Sequence, residues 1–249
     1  MLKKFLLLLL RVSLIFVLLP VCGYLFFDHL EHSGFFNLKK IELNIVDEQV
    51  TGLYLQPLQK QLESNLQKYQ NQSLVKMDFT HLVADVGSLT WIESVAYSRV
   101  WPSELKIVIV PKEIKLLFQS KQRLLPVVKT GEVLPPIEMK RAPNVSILVG
   151  DGFDQIELRK KALQFVSQIP EKGEFSREKI SEIRYDQKEG FWTSLVESGI
   201  KVKMGDEDFA LKSARVSQVL QYLEQNNFNG RVIDANLSKK VLVRLRKDP

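Results

Sequence analysis

Cysteine is nearly missing from this 249-residue chain. The single one, Cys22, lies inside an apolar run near the N-terminus. No intrachain disulfide can form, and the body of the chain has no cysteine ligand for zinc and no cysteine nucleophile. A body without thiols suits an oxidising compartment. Histidine is scarce as well: His29 and His32 stand three apart and His81 is alone. Two metal ligands without a third do not make a site. Gly150-Asp151-Gly152 reads as a turn, because no lysine or second glycine set completes a phosphate loop. No serine sits in a nucleophile elbow, and no histidine lies near a carboxylate in a catalytic pattern. The sequence therefore nominates no catalytic residue, no cofactor and no metal.

What is present is an ordinary globular composition, 45% hydrophobic and 26% charged, which rules out a disordered or collagen-like chain. The net charge of +6 is partly a feature of the N-terminus. Lys3, Lys4 and Arg11 precede the first acid, Asp28, and the other 32 basic residues face 29 Asp and Glu. The basic balance alone does not argue for nucleic acid.

Phe5 to Phe27 is 23 residues with one charge, Arg11. At the helical rise it spans roughly 34 Å, enough to cross a bilayer core of about 30 Å. Arg11 lies close enough to its end to carry the guanidinium back to the headgroups. Lys3, Lys4 and Arg11 on one side, and Asp28 and Glu31 on the other, give a cytoplasmic N-terminus and an exported body. Tyr24, Phe26 and Phe27 fit an interfacial aromatic belt. A cleaved signal peptide would need a small-x-small site, and Val21-Cys22-Gly23 is a poor one. A lipoprotein would need a small residue directly before Cys22, where Val21 stands. A retained single span ranks above both.

The rest reads as two α+β modules. The expected divisions are a cytoplasmic tail at 1–4, a transmembrane helix at 5–27, a linker at 28–36, and modules at 37–111 and 112–249. Ile41, Leu43 and Ile45 alternate as a half-buried strand. Leu55, Leu58, Leu62 and Leu66 recur at helical spacing, predicting a helix over 54–69. Asp78 or Thr80 can cap a second helix. Residues 91–101 and 105–110 form a predicted hairpin around Pro102-Ser103. The order is strand, helix, helix, strand, strand. From Lys112 onward short strands are separated by turn signals, with Phe191–Val196 and Ile200–Met204 flanking Glu197-Ser198-Gly199. Helices are expected over 155–169 and 209–223, the second with Lys212, Val216, Val219 and Leu220 on its inner face. The run Arg159-Lys160-Lys161 is expected on the exposed side of the first. Strands over 231–235 and 240–245 close the chain. Trp91 and Trp101 read as core or rim of the first hairpin, and Trp192 as packing.

With these residues in place, the layout resembles the FtsQ/DivIB family of bacterial cell-division proteins. Thr90 to Ile109, with Arg99-Val100-Trp101-Pro102 at its centre, is similar to the segment that closes the family's POTRA domain. Thr90 stands where proline is usual, and Glu104 where threonine is common. Ser198-Gly199-Ile200-Lys201-Val202-Lys203-Met204-Gly205 resembles a second family segment, and Lys212 and Arg215 its lysine–arginine helix. Val232-Ile233-Asp234 resembles the opening of the last strands, after which Ala235-Asn236-Leu237 departs from the usual Leu-Arg-Tyr.

The resemblance implies an α+β fold: one N-terminal transmembrane helix, a POTRA domain of β-α-α-β-β order, and a strand-rich C-terminal β domain with two helices. It implies a non-enzymatic inner-membrane scaffold, without cofactor, whose periplasmic body holds FtsB- and FtsL-type coiled-coil proteins at the division septum and meets other division proteins through the POTRA domain. A POTRA-bearing docking component of a secretion or envelope-assembly system is the alternative, and an envelope hydrolase ranks third. The family's FtsB contact corresponds here to Lys212 and Arg215 and to Leu237, Ser238, Lys239, Lys240, Val241, Leu242, Val243 and Arg244. A terminal edge strand can accept a partner strand, and its lysines and arginines favour an acidic segment. An edge protected from aggregation by the same lysines is an equal reading.

Overall fold

The computed structural model describes residues 2–46, 55–237 and 240–246. The chain divides into two compact units, one made of residues 1–47 and 57–111, the other of 48–56 and 112–249.

The first unit opens on α1 (Leu2–His32). Its stretch Ser13–His32 is long and apolar enough to cross a membrane, with mean hydropathy 1.8. The helix runs through much of the expected linker and stops at a glycine. Gly34 takes φ +75°, the Phe35 N–H bonds Leu30 O at 3.2 Å and the Gly34 N–H bonds Glu31 O at 3.1 Å. Both bonds satisfy carbonyls that the last helical turn leaves open, and the left-handed φ suits glycine.

Then follow β1 (Lys40–Ile45), α2 (Gln56–Gln67), α3 (Phe79–Gly87), β2 (Ile92–Val100) and β3 (Glu104–Pro111), the expected order. The sheet order is β1-β3-β2, with β1 parallel and β2 antiparallel to β3. Central β3 alternates as its sequence predicts, burying Leu105, Ile107 and Ile109 completely. Leu62 and Leu66 of α2 and Leu82 and Val86 of α3 supply the facing layer. Asp78 caps α3, accepting from the N–H groups of Thr80 at 2.9 Å and His81 at 3.3 Å. Asp85 accepts from Lys68 Nζ at 2.6 Å and Tyr69 Oη at 2.5 Å, tying the end of α2 to α3. Burial and the bond to Asp85 push the Tyr69 phenol up to about 12. Of the tryptophans in this unit, Trp91 is buried and Trp101 is exposed.

The second unit is one eight-stranded mixed sheet with two helices. Its strands are β4 (Ile114–Ser120), β5 (Arg123–Val128), β6 (Ile147–Val149), β7 (Ile180–Asp186), β8 (Gly190–Leu195), β9 (Lys201–Gly205), β10 (Gly230–Asp234) and β11 (Leu242–Leu245), with α4 (Ile156–Ser167) and α5 (Phe209–Gln225). The spatial order is β11-β10-β9-β8-β7-β6-β4-β5. The core is aromatic at its centre: Phe165 stacks on Phe191 with ring centroids 4.7 Å apart, and Phe209 closes edge-on against Phe165 at 4.8 Å. Only part of the basic run on α4 is exposed. Arg159 is buried and donates to the carbonyls of Gly131 (2.7 Å), Phe153 (2.7 Å) and Asp154 (2.9 Å). A guanidinium spent on three backbone acceptors ties two loops to the helix and corrects the surface role expected for it.

The two ends of this sheet differ. Along β5 the chain folds back: Leu134 N–H donates to Pro126 O (2.8 Å), Ile137 N–H to Leu124 O (3.0 Å), and Val128 N–H to Glu132 O (3.1 Å). At the opposite end, among the described residues, β11 pairs with β10 alone.

Candidate functional site

β11 is shorter than its sequence suggests. The chain leaves the β10 ladder because the Ala235 N–H goes to Lys203 O (2.9 Å) and the Asn236 N–H to the Asp234 side chain (3.0 Å). Pairing resumes with Leu242 opposite Asp234, Val243 opposite Ile233 and Arg244 opposite Val232. Leu237 is a half-buried bend residue, and Lys240 and Val241 precede the strand. Ser238 and Lys239, also expected at the site, lie outside the described residues.

The side chains of this segment split between two faces. Val241 and Val243 pack against the core of the unit, whereas Lys240, Leu242, Arg244 and Leu245 are exposed. The backbone splits as well. Arg246 donates its N–H inward to Asn229 O at 2.8 Å, so strand alternation turns the N–H and C=O of Val243 and Leu245 outward. Among the described residues nothing pairs with that outer side.

Lys212 and Arg215 stand elsewhere. Lys212 is buried, and its ammonium donates to Met204 O at 2.9 Å and Asn236 Oδ1 at 3.3 Å. It positions the turn that leads to β11 and does not present its charge at the surface. The same amide explains Gly205, which has φ +74° and where a Cβ would collide with Asn236 Oδ1. Arg215 is half-buried on α5 and partnered.

Two grooves flank the edge. Between α5 and β11 lies an apolar cavity of ≈ 390 Å³ lined by Val219, Tyr222, Phe228, Val243 and Leu245. On the other face of the sheet a trough of ≈ 930 Å³ is lined by Arg184, Trp192, Lys201, Arg231, Arg244 and Arg246. Some of its charge is neutralised: Arg184 meets Glu182 at 3.1 Å, and neighbouring Lys203 meets Glu189 at 2.9 Å. Arg246 donates to Ser198 O at 2.8 Å. Lys201, Arg231 and Arg244 have no carboxylate partner among the described residues. The edge therefore offers backbone pairing, an apolar groove on one side and net positive charge on the other.

Sequence reasoning nominated Arg244 and the terminal strand, and gave no part in this candidate site to Tyr222, Phe228, Trp192, Lys201 and Arg231, which line the two grooves. A signal was available in the strands: Lys201 and Arg244 occupy alternate, outward positions, and the outward faces of several strands must be added together before a trough is visible.

Residues 117–236 match a family described as "Cell division protein FtsQ/DivIB, C-terminal". That stretch runs from within β4 to Asn236 and stops short of β11. Curated proteins named "Cell division protein FtsQ" are similar: one from Geobacter sp. (strain M21), 26% identical over 190 residues, covers 69% of this chain and 65% of its own length. Another, from Geotalea daltonii, is 21% identical over 64% of this chain and 60% of its own length. In both cases the match spans less than two thirds of the relative. A solved structure of the major extracytoplasmic domain of the cell-division protein DivIB from Geobacillus stearothermophilus, in its trans isomer, is similar at 18% identity and a TM-score of 0.35, covering 46% of this chain and 96% of that one. The segments at Gly199–Gly205 and Val232–Asp234 both fall within the matched stretch, and residues 117–236 of this chain match the C-terminal domain of the FtsQ/DivIB cell-division proteins.

Proposed function

We propose that this chain is a non-enzymatic, single-span scaffold of the bacterial division machinery. Its N-terminus is cytoplasmic, α1 spans the membrane, the rest of the first unit and the whole second unit are periplasmic, and it gathers at the septum. Its β11 edge captures an extended, acidic segment of a single-span coiled-coil protein of the FtsB/FtsL type by strand addition. One observation carries the reading: β11 has outward backbone groups with no partner among the described residues, beside a trough whose Lys201, Arg231 and Arg244 are not neutralised. Main-chain pairing supplies affinity, the apolar groove beside Val243 takes alternate side chains, and the basic trough selects an acidic neighbour.

In the three-stranded sheet β1 and β2 are both edges among the described residues, and β2 is the longer, nine residues paired with β3. We assign it to other division proteins. The match of residues 117–236 to the FtsQ/DivIB C-terminal domain favours division over the alternative of a docking component in secretion or envelope assembly.

The test is photocrosslinking in living cells, with the probe placed in turn at positions 240 to 245. Alternating crosslinks to one small single-span protein support strand addition. No crosslinks from a stable, inserted protein would make β11 a protected edge. A protein spread evenly over the envelope would count against the septal role.

A further inference from the structure

The first unit carries aromatic side chains that its own core does not use. Phe27 is the last residue of the apolar run and Asp28 the first acid, so Phe27 marks the level at which α1 leaves the bilayer. The Phe36 ring lies 5.4 Å from Phe27, and the Trp101 ring lies 5.8 Å from Phe36 in an edge-on contact. Phe35 adds a further edge at 5.2 Å from Phe36. These rings form a continuous row from the end of the membrane helix to the β2–β3 turn. They are also open: Trp101 is 53% exposed, and Phe27 and Phe35 are 44% exposed each.

The row is held in place by short connections. Glu31 of α1 pairs with Lys76. Phe36 O accepts from the Leu74 N–H at 2.9 Å, Leu38 N–H donates to Gln72 O at 2.9 Å, and Lys39 N–H donates to Ser103 O at 2.8 Å. With α1 helical to His32 and the chain fixed again at Phe36, little slack separates membrane helix from sheet. The turn carrying Trp101 is thereby fixed at the depth of Phe27. Lys39, bonded beside that turn, is exposed and has no carboxylate partner among the described residues.

We propose that the Phe35–Phe36–Trp101 row is a second membrane contact: the β2–β3 turn rests in the lipid interface with the Trp101 indole among the headgroups and Lys39 facing lipid phosphates. Indole suits that place, having an apolar body and one N–H donor. The occupant follows from continuity, because the exposed aromatic surface is an extension of the apolar surface of α1. The bilayer that solvates the helix also meets Phe27, and Phe27 leads ring by ring to Trp101. The inference is independent of the partner assigned to β11 and of the direction in which α1 is inserted.

The experiment reads tryptophan emission of the full-length protein in vesicles of phosphatidylcholine and phosphatidylglycerol, with and without bromine on the acyl carbons nearest the headgroup. Bromine quenches an indole only on close approach. The expected result is quenching in the unsubstituted protein and in Trp192→Phe, and its loss in Trp101→Phe. Quenching that persists unchanged in Trp101→Phe, or none in the unsubstituted protein, overturns the proposal. Should Trp101→Phe fold poorly, a Ser103→Cys label in a Cys22→Ser background serves instead. An environment-sensitive dye there shifts to the blue on reconstitution if the turn meets lipid, and keeps its aqueous emission if it does not.

Discussion

At the β5 end of the eight-stranded sheet the chain finishes its own edge, and at the β11 end no described residue does. Leu124, Pro126 and Val128 alternate along β5, and each has its outward group engaged by the returning segment, through Ile137, Leu134 and Glu132. Pro126 has no N–H to expose. The return depends on Gly131, whose φ of +82° lets the chain turn back from Val128. Along β11 the corresponding groups of Val243 and Leu245 face outward, bordered by Tyr222 and Phe228 on one side and by arginines on the other. An open edge is a hazard that proteins usually blunt. On the proposed function, a fold that covers one edge with its own backbone and leaves the other beside a basic trough separates self-protection from recognition. That is the difference the next experiments should attack.

The largest expected effect is at Gly205. Gly205→Ala combines a left-handed φ with a collision against Asn236, and should cost about 3 kcal/mol of stability and displace the turn into β11. Thermal unfolding measures it. Adding Asn236→Ala removes the obstacle and should recover part of the loss, leaving about 1 kcal/mol of backbone strain. A double variant no better than Gly205→Ala would disprove the link between Gly205 and the open edge.

Val243→Pro comes next. It removes an outward donor and places a ring where a partner strand would lie. Losing about two main-chain bonds at ~1 kcal/mol each gives an affinity drop of about 30-fold. Titration calorimetry checks this, with circular dichroism showing an intact fold. Unchanged affinity in a folded protein would leave the partner no reason to touch β11. A smaller change, about 10-fold in association rate at low salt and little at high salt, is expected for Lys201→Glu with Arg231→Glu. Stopped-flow binding at two salt concentrations separates it from a loss of contacts.

The smallest effect belongs to the closed edge. Gly131→Ala strains the turn that returns over β5 and brings a Cβ within 2.9 Å of Lys160 Cγ. A loss of about 1 kcal/mol is expected, together with concentration-dependent self-association by light scattering as β5 is uncovered. Partner affinity at β11 should not move. If it falls as much as with Val243→Pro, the two edges are not independent.

Much of this architecture can be read from the residues. The alternation of Leu105, Ile107 and Ile109, the Asp78 cap and the turn at Glu197-Ser198-Gly199 are local signals, and each lies where its period or chemistry places it. Signals that depend on distant partners could not be read. Leu134 and Ile137 flank Pro135-Pro136 and look like a loop, because their pairing with β5 is a property of the tertiary fold. Arg159 looks like surface because helical spacing cannot foresee three carbonyls arriving from other loops. Lys212 sits on the inner face of α5 in sequence and in structure, yet that position alone does not reveal an ammonium bound to Met204 and Asn236. The basic trough draws on β7, β8, β9, β10 and β11, so no single segment displays it.

The length of β11 has a kinetic consequence. Four residues, two of them facing outward, give a partner about four main-chain bonds, and at ~1 kcal/mol each the ladder alone is worth a dissociation constant of about 1 mM. With an association rate near ~10⁶ M⁻¹s⁻¹ such a strand leaves in about a millisecond. On the proposed function the partner is anchored in the same membrane, and such tethering raises its effective concentration toward the same millimolar order. On that reading, a short edge makes a contact that persists through repeated recapture, and one that can be exchanged while the assembly around it is being rebuilt.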